Sequence, residues 1–150
     1  MFKAFQSECE EKMKEKILEL KELLQLELPS DYTEFLIQTN GGMFEDFDHS
    51  FVVSGSEEIE MDVLFGFHEQ DSLDLLSWNN EYRRELVNQT VIIGVTLGAG
   101  LIIMSCQKEY EGVYLWDDAV ELPASTEEEC VYRIADNFTS FLEMVNGPKK

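Results

Sequence analysis

Leu28-Pro29-Ser30-Asp31-Tyr32-Thr33-Glu34-Phe35-Leu36, closed by Asn40-Gly41-Gly42, reads as one complete helix with its start and stop signals in place. Proline suits a first turn because its missing N–H is an unpaired position there anyway, and Ser30 and Asp31 cap the N-terminus or set favourable charge on it. Tyr32, Phe35, Leu36 and Thr39 recur at i, i+3, i+4 and i+7 and so share one apolar face. Asn40, Gly41 and Gly42 tolerate the left-handed backbone that ends a helix, and at least one of the glycines is expected at positive φ. On the N-terminal side, residues 1–26 carry Lys and Glu at helical spacing. Met13, Ile17, Leu20 and Leu24 form one stripe there and Glu10 faces Lys14 on the solvated side, which predicts a first helix with one buried face.

Downstream the periodicity changes. Phe51-Val52-Val53 and Ile59 to Phe65 are expected as strands, joined through the turn-forming Ser54-Gly55-Ser56. Ser72 to about Leu86 is expected as a helix capped by Ser72, with Leu73, Leu76 and Trp78 among its apolar positions. Val91-Ile92-Ile93, Leu101-Ile102-Ile103-Met104 and Val113-Tyr114-Leu115-Trp116 are separated by glycine-bearing turns, the pattern of an antiparallel meander. Ser125-x-x-Glu128 and Thr126-x-x-Glu129 fit the capping box ahead of a last helix. Its stripe is Ile134, Phe138, Phe141, Leu142 and Val145, and Asn146-Gly147-Pro148 ends it. No internal repeat or linker interrupts the chain, so residues 1–150 are expected to form a single α+β domain, an antiparallel or mixed β-sheet with helices packed around it.

Length and composition agree with one such domain: of 150 residues, 44% are hydrophobic and 11% aromatic, enough for a proper core. The charge is unusual. Eleven Lys+Arg against 31 Asp+Glu give a net −20. Nucleic-acid affinity comes largely from cations displacing phosphate counterions, so this surface argues against direct DNA or RNA binding, and anionic membranes are disfavoured for the same reason. The longest apolar-rich stretch, Val91 to Met104, is broken by Gly94, Thr96, Gly98 and Gly100, and it falls short of the roughly 20 residues that span a membrane. Cys9, Cys106 and Cys130 are scattered without a CxxC pair, which points away from disulfides or zinc and toward a reducing cytoplasm.

Candidate chemistry is thin. Asp46, Asp48, Ser50, Ser54 and Glu57 occupy positions 1, 3, 5, 9 and 12 of a calcium-loop template, but its sixth position, where the turn needs glycine, is Phe51. Gly94-Val-Thr-Leu-Gly98-Ala-Gly100 lacks the Lys-Ser/Thr of a phosphate cradle and precedes a strand, so it reads as a β-turn. His49 and His68 do not have the spacing of a two-histidine metal motif, and no serine or cysteine sits in a recognisable nucleophile setting. No cofactor or metal is expected, and no enzymatic activity. Trp78 and Trp116 are read as core or groove-lining residues. Charge distribution is more informative: between Lys21 and Arg83 there are 15 acids and no Lys or Arg. Such segregation creates a negative field that steers a cationic protein onto the domain.

The motifs also carry a resemblance. Leu28-Pro29-x-x-Tyr32-x-x-Phe35-Leu36 with Asn40-Gly41-Gly42 resembles the signature of the SUKH superfamily, which takes its name partly from fungal Smi/Knr cell-wall regulators and the bacterial Syd protein. Ile92-Ile93-Gly94 with Gly98-Ala99-Gly100 resembles its strand pair, Val113-Tyr114-Leu115-Trp116-Asp117 its V-Y-x-W strand, and Phe138-Thr139-Ser140-Phe141-Leu142 its closing helix. The sequence departs from the pattern at Leu101, where the family often has Asp, and at Asn137, where Ser is usual. The resemblance implies that these motif residues are chiefly structural. It also implies a bacterial immunity protein that binds and neutralises a cognate, basic toxin, often a nuclease; the alternative is a regulatory interaction scaffold of the Smi/Knr type. Under the first implication Glu45, Asp46, Asp48, Glu57, Glu58, Glu60 and Asp62 are the expected partner-binding residues.

Overall fold

Helix α2 (Ser30–Thr39) starts immediately after Pro29 and ends at Asn40, whose φ of 58° is left-handed. The structure, a computed structural model, describes residues 2–6, 8–45, 49–53, 58–87, 89–98, 100–117 and 130–146. Before α2 lie a short strand β1 (Phe2–Ala4) and helix α1 (Glu10–Leu24). After it come β2 (Gly42–Phe44), β3 (Ser50–Phe51), β4 (Ile59–Leu64), helix α3 (Leu75–Tyr82), β5 (Thr90–Thr96), β6 (Leu101–Ser105), β7 (Gly112–Trp116), β8 (Val131–Ala135) and helix α4 (Phe138–Asn146). The strands form one open sheet in the order β1-β2-β4-β5-β6-β7-β8, with β3 beside β2 on the same flank of β4. Every named pairing is antiparallel. The fold is α+β, and the expected meander is β5–β6–β7.

Several boundaries differ from the expectation. The N-terminal segment opens as a strand, Lys3 pairing with Met43, and the helix begins only at Glu10. Helix α3 is capped by Asp74 and not Ser72: the Asp74 carboxylate accepts from the Ser77 N–H at 2.9 Å and the Ser77 hydroxyl at 2.8 Å, while Ser72 lies in a preceding 3-10 turn. That helix also stops at Tyr82, short of Leu86. Ile134 belongs to β8, so the capping-box residues 125–129 do not directly precede the last helix, and they lie outside the described residues. The cap is Asn137, which accepts the Ser140 N–H at 2.8 Å, the bond a serine there would make.

Helix α3 packs on β5 and helix α4 on β3, β7 and β8, while α1 packs against α2 and α3 and α2 against α4, and their apolar stripes join one core. Met13, Leu20, Leu36, Phe141 and Val145 of the helices are fully buried in one cluster with Met61, Ile92, Ile102, Val113 and Leu115 of the sheet, each such side chain worth about 1.5–3 kcal/mol removed from water. Between α2 and α4, Tyr32 and Phe35 each meet Phe138 edge to face with centroids 4.9 Å apart. Asp31 adds a polar tie there: its second oxygen accepts the Thr139 N–H at 3.0 Å and hydroxyl at 2.8 Å.

Two asparagines do what no strand does. Asn40, 3% exposed, donates to the carbonyls of Phe67 and Gln6 and accepts the Phe67 N–H. Asn79, fully buried, takes both backbone groups of Ile92 on the side of β5 facing away from β6, beyond the end of β4. Gly41 follows at φ +74°, and a Cβ there would run into the backbone carbonyls of Leu64 and Phe65. The tyrosine at the centre of the signature is less well served: Tyr32 is 1% exposed and its hydroxyl has no hydrogen-bond partner.

Candidate functional site

The register of the sheet decides which acids meet. β2 and β3 share one flank of β4, with Met43 opposite Val63 and Ser50 opposite Glu60, so the end of β2 comes beside the middle of β4. Glu45 and Glu58 are exposed at the ends of this flank. Glu60 and Asp62 are half-buried, alternating along β4 with the buried Ile59, Met61 and Val63, as the two-residue period of a strand requires. Asp46, Asp48 and Glu57 lie outside the described residues. Of the expected partner-binding set, the structure therefore places Glu58, Glu60 and Asp62 on or next to β4 and Glu45 directly after its neighbour β2.

Two details modify the sequence reading. The interval from 22 to 82 contains no cation, yet β1 brings one in: Lys3 Nζ lies 3.9 Å from Glu45, both side chains being well exposed, which limits the pair to a fraction of a kcal/mol. Glu60 has one carboxylate oxygen shielded from solvent with no hydrogen-bond partner. An orphaned carboxylate oxygen is costly in the free protein and favours whatever donor reaches it. His49 fastens this flank from beneath: Nδ1 donates to the Val145 carbonyl at 2.9 Å, and its ring packs on Phe44 at 4.8 Å. Phe51, the sixth position of the calcium template, is an extended residue in β3 paired with Ile59 and 3% exposed, so it cannot make the sharp turn that template needs. Among the described residues, no group of three His, Cys, Asp or Glu side chains is arranged to hold a metal, and no helix is long and apolar enough to cross a membrane.

A second surface was not foreseen. Beyond β5, the exposed face of β6 and β7 forms a groove of 520 Å³ floored by Ile103, Tyr114 and Trp116 and walled by Val87, Tyr110 and Val131. Val87, Tyr110 and Val131 are 71%, 60% and 52% exposed. The floor is held rigidly: the Tyr114 hydroxyl donates to the Tyr110 carbonyl at 2.6 Å and accepts from Arg133, while Trp116 stands edge-on to Tyr82.

Residues 13–144 match the family model described as SMI1 / KNR4 family (SUKH-1). The chain belongs to the SMI1 / KNR4 family. A comparison with curated proteins finds no match.

Within this SUKH-1 domain, the residues that match the family's pattern gather under the helices and in the turns. Tyr32, Leu36, Asn40, Val113, Phe138 and Phe141 are buried, and Leu28, Pro29 and Phe35 are partly so. Gly42 starts β2, Gly94 sits in β5 at a register shift, and Gly98 and Gly100 make the β5–β6 turn. Tyr114 and Trp116 of the V-Y-x-W strand are the described residues among them that line the groove. Sequence reading missed the groove because its walls come from four separated segments, and missed Asn40 and Asn79 as clamps because their partners lie 27 and 13 residues away.

Proposed function

We propose that this SUKH-1 domain is a non-enzymatic immunity protein, which binds and neutralises a cognate, basic toxin domain by laying carboxylates against the Lys and Arg with which the toxin grips phosphate. A nuclease is the toxin class this chemistry suits. The reading rests on charge segregation: 15 acids and no Lys or Arg between Lys21 and Arg83, several of them on the flank of β4. Acids at the rim of such a contact set the association rate and its salt dependence, whereas Glu60, already half-desolvated, is placed to act in the bound state. Family membership supports a protein partner. It leaves the partner's identity to experiment.

The test is co-expression with a toxin domain encoded beside the gene, scored by growth, together with association kinetics on the purified pair. Wild type should protect, and association should slow as salt rises. A Glu58→Gln, Glu60→Gln, Asp62→Asn variant that remains folded should associate more slowly, lose that salt dependence and fail to protect. Full protection by the triple variant would overturn the reading.

A further inference from the structure

We propose that the aromatic groove over β6 and β7 is a self-association face, closed by a second copy of this chain across a two-fold axis. The groove joins three exposed apolar side chains, Val87, Tyr110 and Val131, to a rigid Tyr114–Trp116 floor. Contiguous exposed apolar surface of this composition is the signature of a protein interface, since tyrosine and tryptophan give large contact area for little lost side-chain entropy.

Charge identifies the occupant. Arg83 and Arg84 line a cavity that shares Leu86, Val87 and Thr90 with the groove, Lys108 lies in the turn between the lining residues Gln107 and Tyr110, and Arg133 sits 5.5 Å over the Tyr114 ring. Glu85, Glu109 and Glu111 are interleaved with them, and Asp136 pairs with Arg133 at 3.0 Å. In a molecule of net −20, this is a face on which the described residues carry the two signs in balance. The cations repel a basic partner, which has the acidic flank of β4 to bind instead. A second copy presents the same mixed set, and in an isologous contact each residue of one copy meets a different residue of the other, so Arg and Lys can face Glu. Among the described residues, the other mixed surface is α1, where Lys12, Lys14, Lys16 and Lys21 are outnumbered by Glu8, Glu10, Glu11, Glu15, Glu19 and Glu22, so two copies meeting there would still repel. The groove face is where they can approach at least electrostatic cost.

The proposal makes a salt dependence opposite in sign to that of the toxin complex, so the two readings fail separately. Sedimentation velocity on the purified full chain, over a wide concentration range, reads it directly. A monomer–dimer equilibrium should tighten as salt rises from ~0.01 M to ~0.15 M, because the screening length falls from about 30 Å to about 8 Å and the repulsion between the two net charges is cut. Tyr110→Ser and Val87→Asp, at exposed positions, should each weaken dimerisation by about tenfold or more with an unchanged melting temperature. Leu18→Ser, at a position 53% exposed on α1, should leave it unchanged. A monomer at every concentration and salt overturns the proposal, as does a dimer that survives both groove substitutions.

Discussion

Asn40→Ala removes the clamp that holds the end of α2 to the chain on either side of it. Asn40 is 3% exposed and Phe67 7%. The amide donates to the Phe67 carbonyl at 3.0 Å and the Gln6 carbonyl at 3.1 Å, and its oxygen accepts the Phe67 N–H at 2.7 Å. Truncation leaves both backbone groups of Phe67 without partners in a place water scarcely reaches; at about 1–3 kcal/mol per orphaned group, ~3 kcal/mol is lost. The Gln6 carbonyl belongs to an exposed residue and finds water, so it adds little. Alanine at φ 58° adds about 1 kcal/mol, since it keeps the Cβ that crowds the following carbonyl but lacks the short polar side chain with which asparagine tolerates this region. The sum is ~4 kcal/mol for Asn40→Ala and ~3 kcal/mol for Asn40→Gly, which keeps the backbone freedom but not the bonds. At about 2–4 °C per kcal/mol for a chain of this size, the alanine variant should melt roughly 8–16 °C below wild type, with the glycine variant a few degrees above it. Asn40→Asp preserves the acceptor but sets a charge between two carbonyls. Burial raises the new carboxyl's pKa, so the folded state holds a proton that the unfolded state releases, and this variant alone should regain stability as pH falls. Denaturant melts at constant m-value measure all three. An alanine variant within ~1 kcal/mol of wild type, or a glycine variant no more stable than alanine, would refute the reasoning.

Tyr32→Phe should be neutral or stabilising by up to about 1 kcal/mol, because the hydroxyl it removes is buried and unpartnered; a loss above that in urea melts would mean the hydroxyl is satisfied in solution. Gly42→Val should cost about 1–3 kcal/mol, since any Cβ at Gly42 meets the Lys3 carbonyl and the Phe2 ring, and amide exchange of residues 2–4 should quicken as β1 lifts. Burial, followed by the charge of Glu111, pushes the Cys106 thiol up to about 12 from its ordinary 9.0. The folded state therefore keeps a proton that the unfolded thiol gives up, so the Cys106 contribution to stability should fall as pH rises from about 9 and be lost by about 12, with buried Tyr32, also pushed up by burial, adding its own fall above 10.0. Cys106→Ala should flatten that part of the profile, and a thiol reagent at about pH 8 should modify exposed Cys9 well before Cys106.

How much of this was legible depended on whether a signal was local. The start and stop of α2 lie within a few residues of their causes, and the β5–β7 meander has glycine punctuation, so both stood out. Val131–Ala135 did not, because Ile134 and Phe138 fall four apart and mimic a helical stripe, although a strand and a capped turn separate them. Asp74 displaced Ser72 as a cap because the chain from Gly66 to Asp74 closes on itself, the Leu75 N–H reaching the Gly66 carbonyl at 2.7 Å. Three-residue β1 has too little sequence for any pattern. Its pairing with β2 is what brings Lys3 to Glu45, so the acid-only interval gains a cation that linear reading cannot see.

The same distinction separates scaffold from specificity. Nearly every residue that matches the family pattern is spent on the α2 start and stop, the aromatic contact between α2 and α4, or the turns of the sheet, where substitution acts on folding. The carboxylates on the flank of β4 lie outside that pattern, and so do Val87, Tyr110 and Val131. Glu60, Asp62 and Val131 sit on strands, and Val87 and Tyr110 lie in the short segments that lead into β5 and β7, so these side chains can vary without moving the framework. On the proposed function, such a fold can change its partner by changing charge along β4. On the proposed self-association, it can change that contact by changing the apolar walls over β6 and β7. Trp116 is where the two meet, because it belongs to the family pattern, braces Tyr82 of α3 at 5.7 Å and also floors the groove. Substitution there is expected to perturb folding and self-association together, so the groove is better probed at its exposed walls.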